Sequence, residues 1–231
     1  MADLANSQPL ISGLLDFSAY YEKKAAEEKK AKMDYEILVE DLHKNFDNPA
    51  TLYGVEQKII DIVKFIATED LQKEFHYFDN LASSLKKKSE PLEKELETTY
   101  SKVNVYENPE KNKKRDKLLY DATLINEQIN QAMKIAIIFG SALKEKSRIE
   151  ERDRRILVGA KLKMLREMQG LSLDDVAKAL DTNKSLISNY ESGYREPSIK
   201  NLIKLATKLN TSTDWLLNVP VPQYNSNKIK A

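Results

Sequence analysis

The 231-residue chain contains no cysteine. That excludes disulfides, cysteine-bound zinc and thiol catalysis, and it fits a reducing cytoplasm. Long apolar runs are missing too. The longest, Ile135 to Phe139, falls far short of the ~20 residues a helix needs to span a bilayer. The N-terminus lacks the basic-then-apolar pattern of a signal peptide. A cytoplasmic protein without membrane contact is expected. Histidine is scarce: His43 and His76 fall on different expected helices, so no metal site is suggested. No phosphate-binding glycine loop and no nucleophile elbow appears, so neither an enzyme nor a cofactor is expected. Only six glycines, with 32% charged residues, point to a helical protein with long solvated faces.

The net charge of +1 hides an asymmetry. Residues 151–231 hold 14 Lys/Arg against 9 Asp/Glu, and residues 1–150 hold 23 against 27. A basic end on a mildly acidic body suggests that one end faces a polyanion.

Hydrophobic spacing predicts an all-α fold. From Leu10 to about Phe46 the pattern is helical, and Asn48-Pro49 ends it. A short apolar helix with Ile59, Ile60, Val63 and Ile66 follows, and Thr68 is a candidate cap for the next. Leu71, Phe75, Phe78, Ala82, Leu85, Leu92 and Leu96 then keep a 3–4 alternation with Ser89 in the gap; Pro91 is a point of kinking or division. Leu118, Ala122, Ile125, Ile129, Ala132, Ala136, Phe139 and Leu143 repeat it. Such alternation marks a coiled-coil seam. Two segments joined by a polar turn, Asn104 to Lys114, fold back as an antiparallel hairpin. The seam closes within one chain or between two; the pattern allows both. Residues 145–155 read as continuing helix or stiff linker. The resulting division is a frayed N-terminus (1–8), a helical assembly or sensor domain (9–150), a second domain (154–218) and a disordered tail (219–231).

The second domain carries five short helical patterns. Leu157 to Met168 ends at Gly170; Ser172-Leu-Asp-Asp175 is a capping signal. Val176, Ala177 and Leu180 line the next helix, and Asp181-Thr-Asn183 turns the chain. The third helix, Lys184 to about Glu191, turns Ile187 and Tyr190 inward and closes at Ser192-Gly193. Pro197 precedes a fourth helix, and a fifth starts near Ser212 and carries Trp215. An eight-residue helix on a short neighbour is the shape that enters a major groove. Its outward positions, Lys184, Ser185, Ser188 and Asn189, all hydrogen-bond and none is apolar or acidic. Lysine suits guanine acceptors and asparagine suits adenine. Ser172, Asn183, Tyr194 and Arg195 are candidates for phosphate contacts. Arg152-Asp-Arg-Arg155 reads either as a phosphate-touching arm or, more simply, as a solvated helix surface.

The stretch from Leu162 to Leu217 resembles the phage-repressor and Cro type of helix-turn-helix. The resemblance rests on Leu162, Leu165-Arg166, Gly170-Leu-Ser172, Val176-Ala177, Leu180, Ile187-Ser188, Tyr190-Glu191, Gly193, Arg195-Glu-Pro197, Leu202, Leu205-Ala206, Leu209 and Asp214-Trp-Leu-Leu217, in order and ungapped. It implies a five-helix lambda-repressor-like domain after the helical hairpin. It places base reading on Lys184, Ser185 and Asn189, with Ser188 nearby, and an ion pair on Arg166 and Glu191. Where the family often has a phosphate-contacting glutamine, this chain has Leu173.

The function expected is a sequence-specific transcription regulator, acting as a repressor and binding double-stranded DNA as a homodimer. The alternative is an antitoxin or adaptor whose N-terminal helices bind a protein partner and whose helix-turn-helix serves autoregulation.

Overall fold

The computed structural model describes residues 8–100 and 109–217, with side chains over 21–99, 110 and 112–217. The frayed ends expected from sequence lie essentially outside these residues. Among the described residues every regular element is helical, and no helix is long and apolar enough to cross a membrane. The chain divides into two units, Met1–Lys146 and Ser147–Ala231.

In the first unit, α1 (Gln8–Asn45) buries Ala31, Tyr35, Leu38 and Leu42, a spacing of four, three and four that keeps one face inward. Residues 21–30, rich in Lys and Glu, are all exposed. Asn48 ends the segment by accepting a hydrogen bond from the Ala50 amide at 3.1 Å, with Pro49 opening a single 3-10 turn. The short α2 (Val55–Ile62) follows. It buries Val55 and Ile59, and Val63 and Ile66 continue the apolar line beyond it; Ile60, expected on the same side, is 40% exposed.

The long helices are α3 (Thr68–Tyr100) and α4 (Pro109–Met168). They run antiparallel: Glu95 pairs with Lys114 at 2.9 Å, while the Phe78 and Phe139 rings stack with centroids 6.2 Å apart. The seam therefore closes within one chain. α1 lies parallel to α3. Near one end Tyr35 donates to the Asp70 carbonyl at 3.1 Å; two turns on, His43 stacks on Tyr77 at 4.2 Å and its Nε2 lies 2.5 Å from the buried Glu74 carboxylate. Burial, then the charges of Glu74 and Asp70, hold the Tyr35 phenol far above its ordinary range, so it stays a neutral donor. Phe78, Phe139, Leu71, Ile135, Leu42 and Ile59 are fully buried, each side chain contributing about 1.5–3 kcal/mol by area removed from water.

Two expectations need correction. Proline does not divide α3, which continues through Pro91. The buried Ser89 fills its seam position by bonding the Lys86 carbonyl within its own helix, at 2.9 Å. The second helix of the hairpin starts earlier than the expected end of the turn at Lys114: α4 begins at Pro109, where a proline loses no helix hydrogen bond.

The second unit holds the end of α4, then α5 (Leu173–Leu180), α6 (Lys184–Glu191), α7 (Ile199–Lys208) and α8 (Thr213–Leu217). The first helix of this domain is not a separate element, since α4 runs unbroken through residues 145–155, which contain no glycine or proline. The five helices share a core of Val158, Leu162, Val176, Ala177, Leu180, Ile187, Tyr190, Leu202, Leu205, Ala206, Leu209 and Leu216.

The C-terminal end of α6 docks on α4 at very short range. A Cβ on Gly159 would sit 2.5 Å from the carbonyl oxygens of both Tyr190 and Glu191, and one on Gly193 would sit 2.8 Å from Ile156 Cα. Gly193 also has φ +70°, which a side chain resists. Beside this contact, Arg166 Nε and Nη2 donate to the two Glu191 carboxylate oxygens at 2.6 and 2.9 Å, and Nη1 donates to the Leu171 carbonyl at 3.0 Å. Their side chains are 12% and 8% exposed.

Two stability predictions follow from this docking. Gly159→Ala, which in an open helix raises stability, is expected here to lower it by about 1–3 kcal/mol, because the methyl group meets backbone oxygens that cannot retreat. Glu191→Ala is expected to cost about 2–4 kcal/mol by stranding the Arg166 charge. Urea unfolding of the full chain checks both; unchanged midpoints for the transition of this unit refute them.

Candidate nucleic-acid interface

The turn between α5 and α6 is built by its caps. Ser172 and Asp175 form a reciprocal box at the start of α5: the serine Oγ accepts from the Asp175 amide at 3.1 Å, and the Ser172 amide donates to the Asp175 carboxylate at 2.8 Å. The Ser172 hydroxyl also lies 2.6 Å from that carboxylate. These bonds, the hydroxyl's first, hold the Asp175 carboxyl below its ordinary range. Asp181 leaves α5 in the left-handed region, φ +56°, which aspartate tolerates. Asn183 then caps α6 by accepting from the Leu186 amide at 2.9 Å.

α6 is oriented by what it buries. Ile187 and Tyr190 are 1% and 4% exposed, and the Tyr190 hydroxyl accepts from the Asn201 amide of α7 at 3.0 Å. The opposite face carries Lys184, Ser185 and Ser188, exposed, and Asn189, half-buried. The steps of one, three and one place them on one side of the helix. No hydrogen bond within the described residues engages any of these four side chains. They are therefore a group of donors and acceptors, two hydroxyls, an ammonium and an amide, ready to bond an outside partner.

The other expected contacts divide. Tyr194 is 83% exposed and Arg195 is exposed, both on a loop fastened to α6 by the Arg195 amide donating to the Asn189 carbonyl at 3.1 Å. Asn183 is exposed; its oxygen is committed to the cap and its amide hydrogens are not. Ser172 is different, because both its hydroxyl and its amide serve Asp175. Leu173 is half-buried and packs against the edge of the domain core, so an apolar side chain stands where the family has a polar contact. The charged run before the domain is paired: Arg152 with Asp153 at 3.4 Å, Arg154 with Glu196 at 3.3 Å, and Arg155 with Glu151 at 2.9 Å. That is the solvated-surface reading of the run. Trp215 lies at the rim, where Lys161 sits 4.7 Å above its ring and donates to its carbonyl at 2.5 Å.

Sequence reasoning missed Gly159. A glycine inside an otherwise good helical pattern signals close packing, and here the partner is the end of α6. It also missed Asn201, whose amide holds Tyr190. Among the described residues no group of three or more His, Asp or Glu side chains is placed to hold a metal ion. The Arg166 guanidinium is held above its ordinary range, foremost by its hydrogen bonds to Glu191. It is a fixed cation inside the domain rather than a surface one.

Comparison with known proteins agrees with this geometry. A helix-turn-helix family model matches residues 162–216. The chain is 38% identical over 60 residues to the HTH-type transcriptional regulator ImmR of Bacillus subtilis strain 168, a match covering 26% of this chain and 47% of that protein. It is 34% identical over 73 residues to an SPbeta prophage-derived HTH-type transcriptional regulator, YonR, of the same organism, covering 32% of this chain and 68% of that protein. The chain thus spans about half the length of ImmR. No solved structure matches it. With the cap, the docked α6 and its free polar face all lying inside the matched residues, the chain belongs to the Cro/C1-type helix-turn-helix family.

Proposed function

We propose that the protein is a sequence-specific DNA-binding transcription regulator that represses by occupying an operator. One observation carries the reading. α6 presents Lys184, Ser185, Ser188 and Asn189 without hydrogen-bond partners among the described residues, while its other face is fixed by Ile187, Tyr190 and the Arg166–Glu191 pair. In this reading α6 enters the major groove. Lys184 donates to guanine acceptors, and Asn189 makes the paired donor and acceptor bonds that suit adenine. Ser185 and Ser188 accept or donate as the base requires. Asn189 is half-buried, so its amide has fewer orientations to lose on binding. Arg195, Tyr194 and the Asn183 amide contact phosphates and set the register. Ser172 contributes at most through its position, since its polar atoms serve the α5 cap. Similarity to two proteins described as HTH-type transcriptional regulators supports the same class.

Selection of bound fragments from genomic DNA by the full chain should return one recurring motif; recovery of fragments without a common motif refutes the reading. On the selected site, Asn189→Ala should relax preference at one base step by about 1–3 kcal/mol and leave binding to random DNA unchanged. Arg195→Ala should weaken selected and random DNA alike and reduce the slope of log affinity against log salt by about 0.9. Equal losses on both DNAs for Asn189→Ala would remove its base-reading role.

A further inference from the structure

A second stripe on α4 has the spacing of the buried seam but faces solvent. Leu119, Thr123, Asn126, Asn130, Met133 and Ile137 step by four, three, four, three and four, the repeat that keeps side chains along one edge of a helix. All six are exposed, the three large apolar ones at 43%, 49% and 63%. Thr123 donates its hydroxyl to the Leu119 carbonyl at 2.8 Å, so its methyl is what remains to meet a neighbour. None of the six is charged, in a chain that is 32% charged. Across residues 118–143 the charged residues are Asp121, Glu127 and Lys134. The solvated part of α1 is the contrast: residues 21–30 are exposed and dense in Lys and Glu. Loss of charge with retention of exposed Leu, Met and Ile is the composition of an interface centre.

The stripe also reads alike in both directions. An antiparallel copy centred on Gln128 sets Leu119 against Ile137, Thr123 against Met133 and Asn126 against Asn130. Apolar groups meet at the ends and amides meet in the middle. Each amide offers both donors and an acceptor, so Asn126 and Asn130 of facing copies can exchange two hydrogen bonds and leave one N–H each for the rim. Such a polar pair inside an apolar seam lowers affinity and fixes register. Glu127 and Lys134 stand on one flank, outside these pairings, and leave it neutral. Self-complementarity of one patch under a two-fold axis is the requirement for an isologous dimer.

We propose that α4 packs antiparallel on α4 of a second copy of this chain along the Leu119–Ile137 stripe, forming a homodimer. The proposal stands apart from the DNA reading and uses no residue of that site. Sedimentation equilibrium of the full chain is expected to give a dimer. Met133→Glu and Ile137→Glu are each expected to raise its dissociation constant about 30-fold or more, the loss typical of replacing an apolar interface anchor by a charge that must be desolvated. Both positions face solvent in the single chain, so helical content by circular dichroism stays unchanged. The absence of cysteine makes register testable. An oxidised mixture of Leu119→Cys and Ile137→Cys chains should give the mixed disulfide, and neither variant alone should cross-link. A monomeric wild type, a dimer indifferent to both glutamates, or disulfides between identical positions would overturn the proposal.

Discussion

The contact on which the DNA-binding unit depends is the approach of the α6 C-terminus to α4. Two carbonyl oxygens lie within 2.5 Å of where a Cβ on Gly159 would be, and the Ile156 Cα lies within 2.8 Å of where one on Gly193 would be. Backbone this close cannot be held by side-chain packing alone, which adapts by changing rotamers. The bidentate Arg166–Glu191 pair supplies direction: a planar guanidinium accepts a carboxylate in one orientation, so it sets the roll of α6 as well as its distance. That roll decides which side chains face outward. A turn of 100°, one residue's worth, would replace Ser185 and Asn189 with Leu186 and Tyr190 on the presented face. The base readout proposed for this face would need side chains placed closely, and their placement rests on glycines and an ion pair remote from the exposed face.

Which polar groups are committed inside the chain matters more than which are present. By composition alone the Arg152–Arg155 run is the most basic segment near the domain, yet each arginine in it has a carboxylate partner. Lys184 and Arg195 are isolated by comparison: among the described residues no carboxylate lies within ion-pair distance of either. A phosphate meeting the paired run must compete with an existing partner; one meeting Arg195 need only displace water. The net excess of positive charge in residues 151–231 is therefore a poorer guide to the interface than the distribution of unpaired donors.

Much of this arrangement was legible in the sequence, and the exceptions share a cause. The 3–4 alternation located the α3 and α4 seams, and the Phe78–Phe139 stack falls where it placed them. Caps at Ser172 and Asn183 could be read because capping is local and its residue types are few. Gly159 was invisible in the same terms, because its role is set by residues thirty positions away. Pro91 could be read only as a point of kinking or division, because a proline's effect depends on tertiary contacts beyond its own turn; α3 is not divided there, and Leu85 and Ser89 are buried on its N-terminal side. The exposed α4 stripe escaped because apolar periodicity counts Leu, Met and Ile and passes over Thr123, Asn126 and Asn130, which complete the repeat.

The start of α5 shows how departures from a family pattern can be connected. A polar residue at position 173 would stand beside amides at a helix N-terminus, a natural anion site. This chain has a half-buried Leu173 packed against the core, Ser172 committed to Asp175, and Asp174 and Asp175 adding two negative charges to the same turn. Each change alone weakens a phosphate contact, and together they set that end of α5 against one. In the proposed reading, the grip of a single domain on the DNA backbone falls to α6 and the loop after it, where Lys184 and Arg195 stand. Few phosphate contacts give modest affinity and a shallow salt dependence. Joining two such domains raises the effective concentration of the second once the first is bound, and this gain needs no new contact with DNA. If α4 pairs as proposed, a weak individual grip and a self-association surface on α4 would be complementary: the first would keep single domains from occupying random sequence, and the second would restore affinity where two sites are presented together.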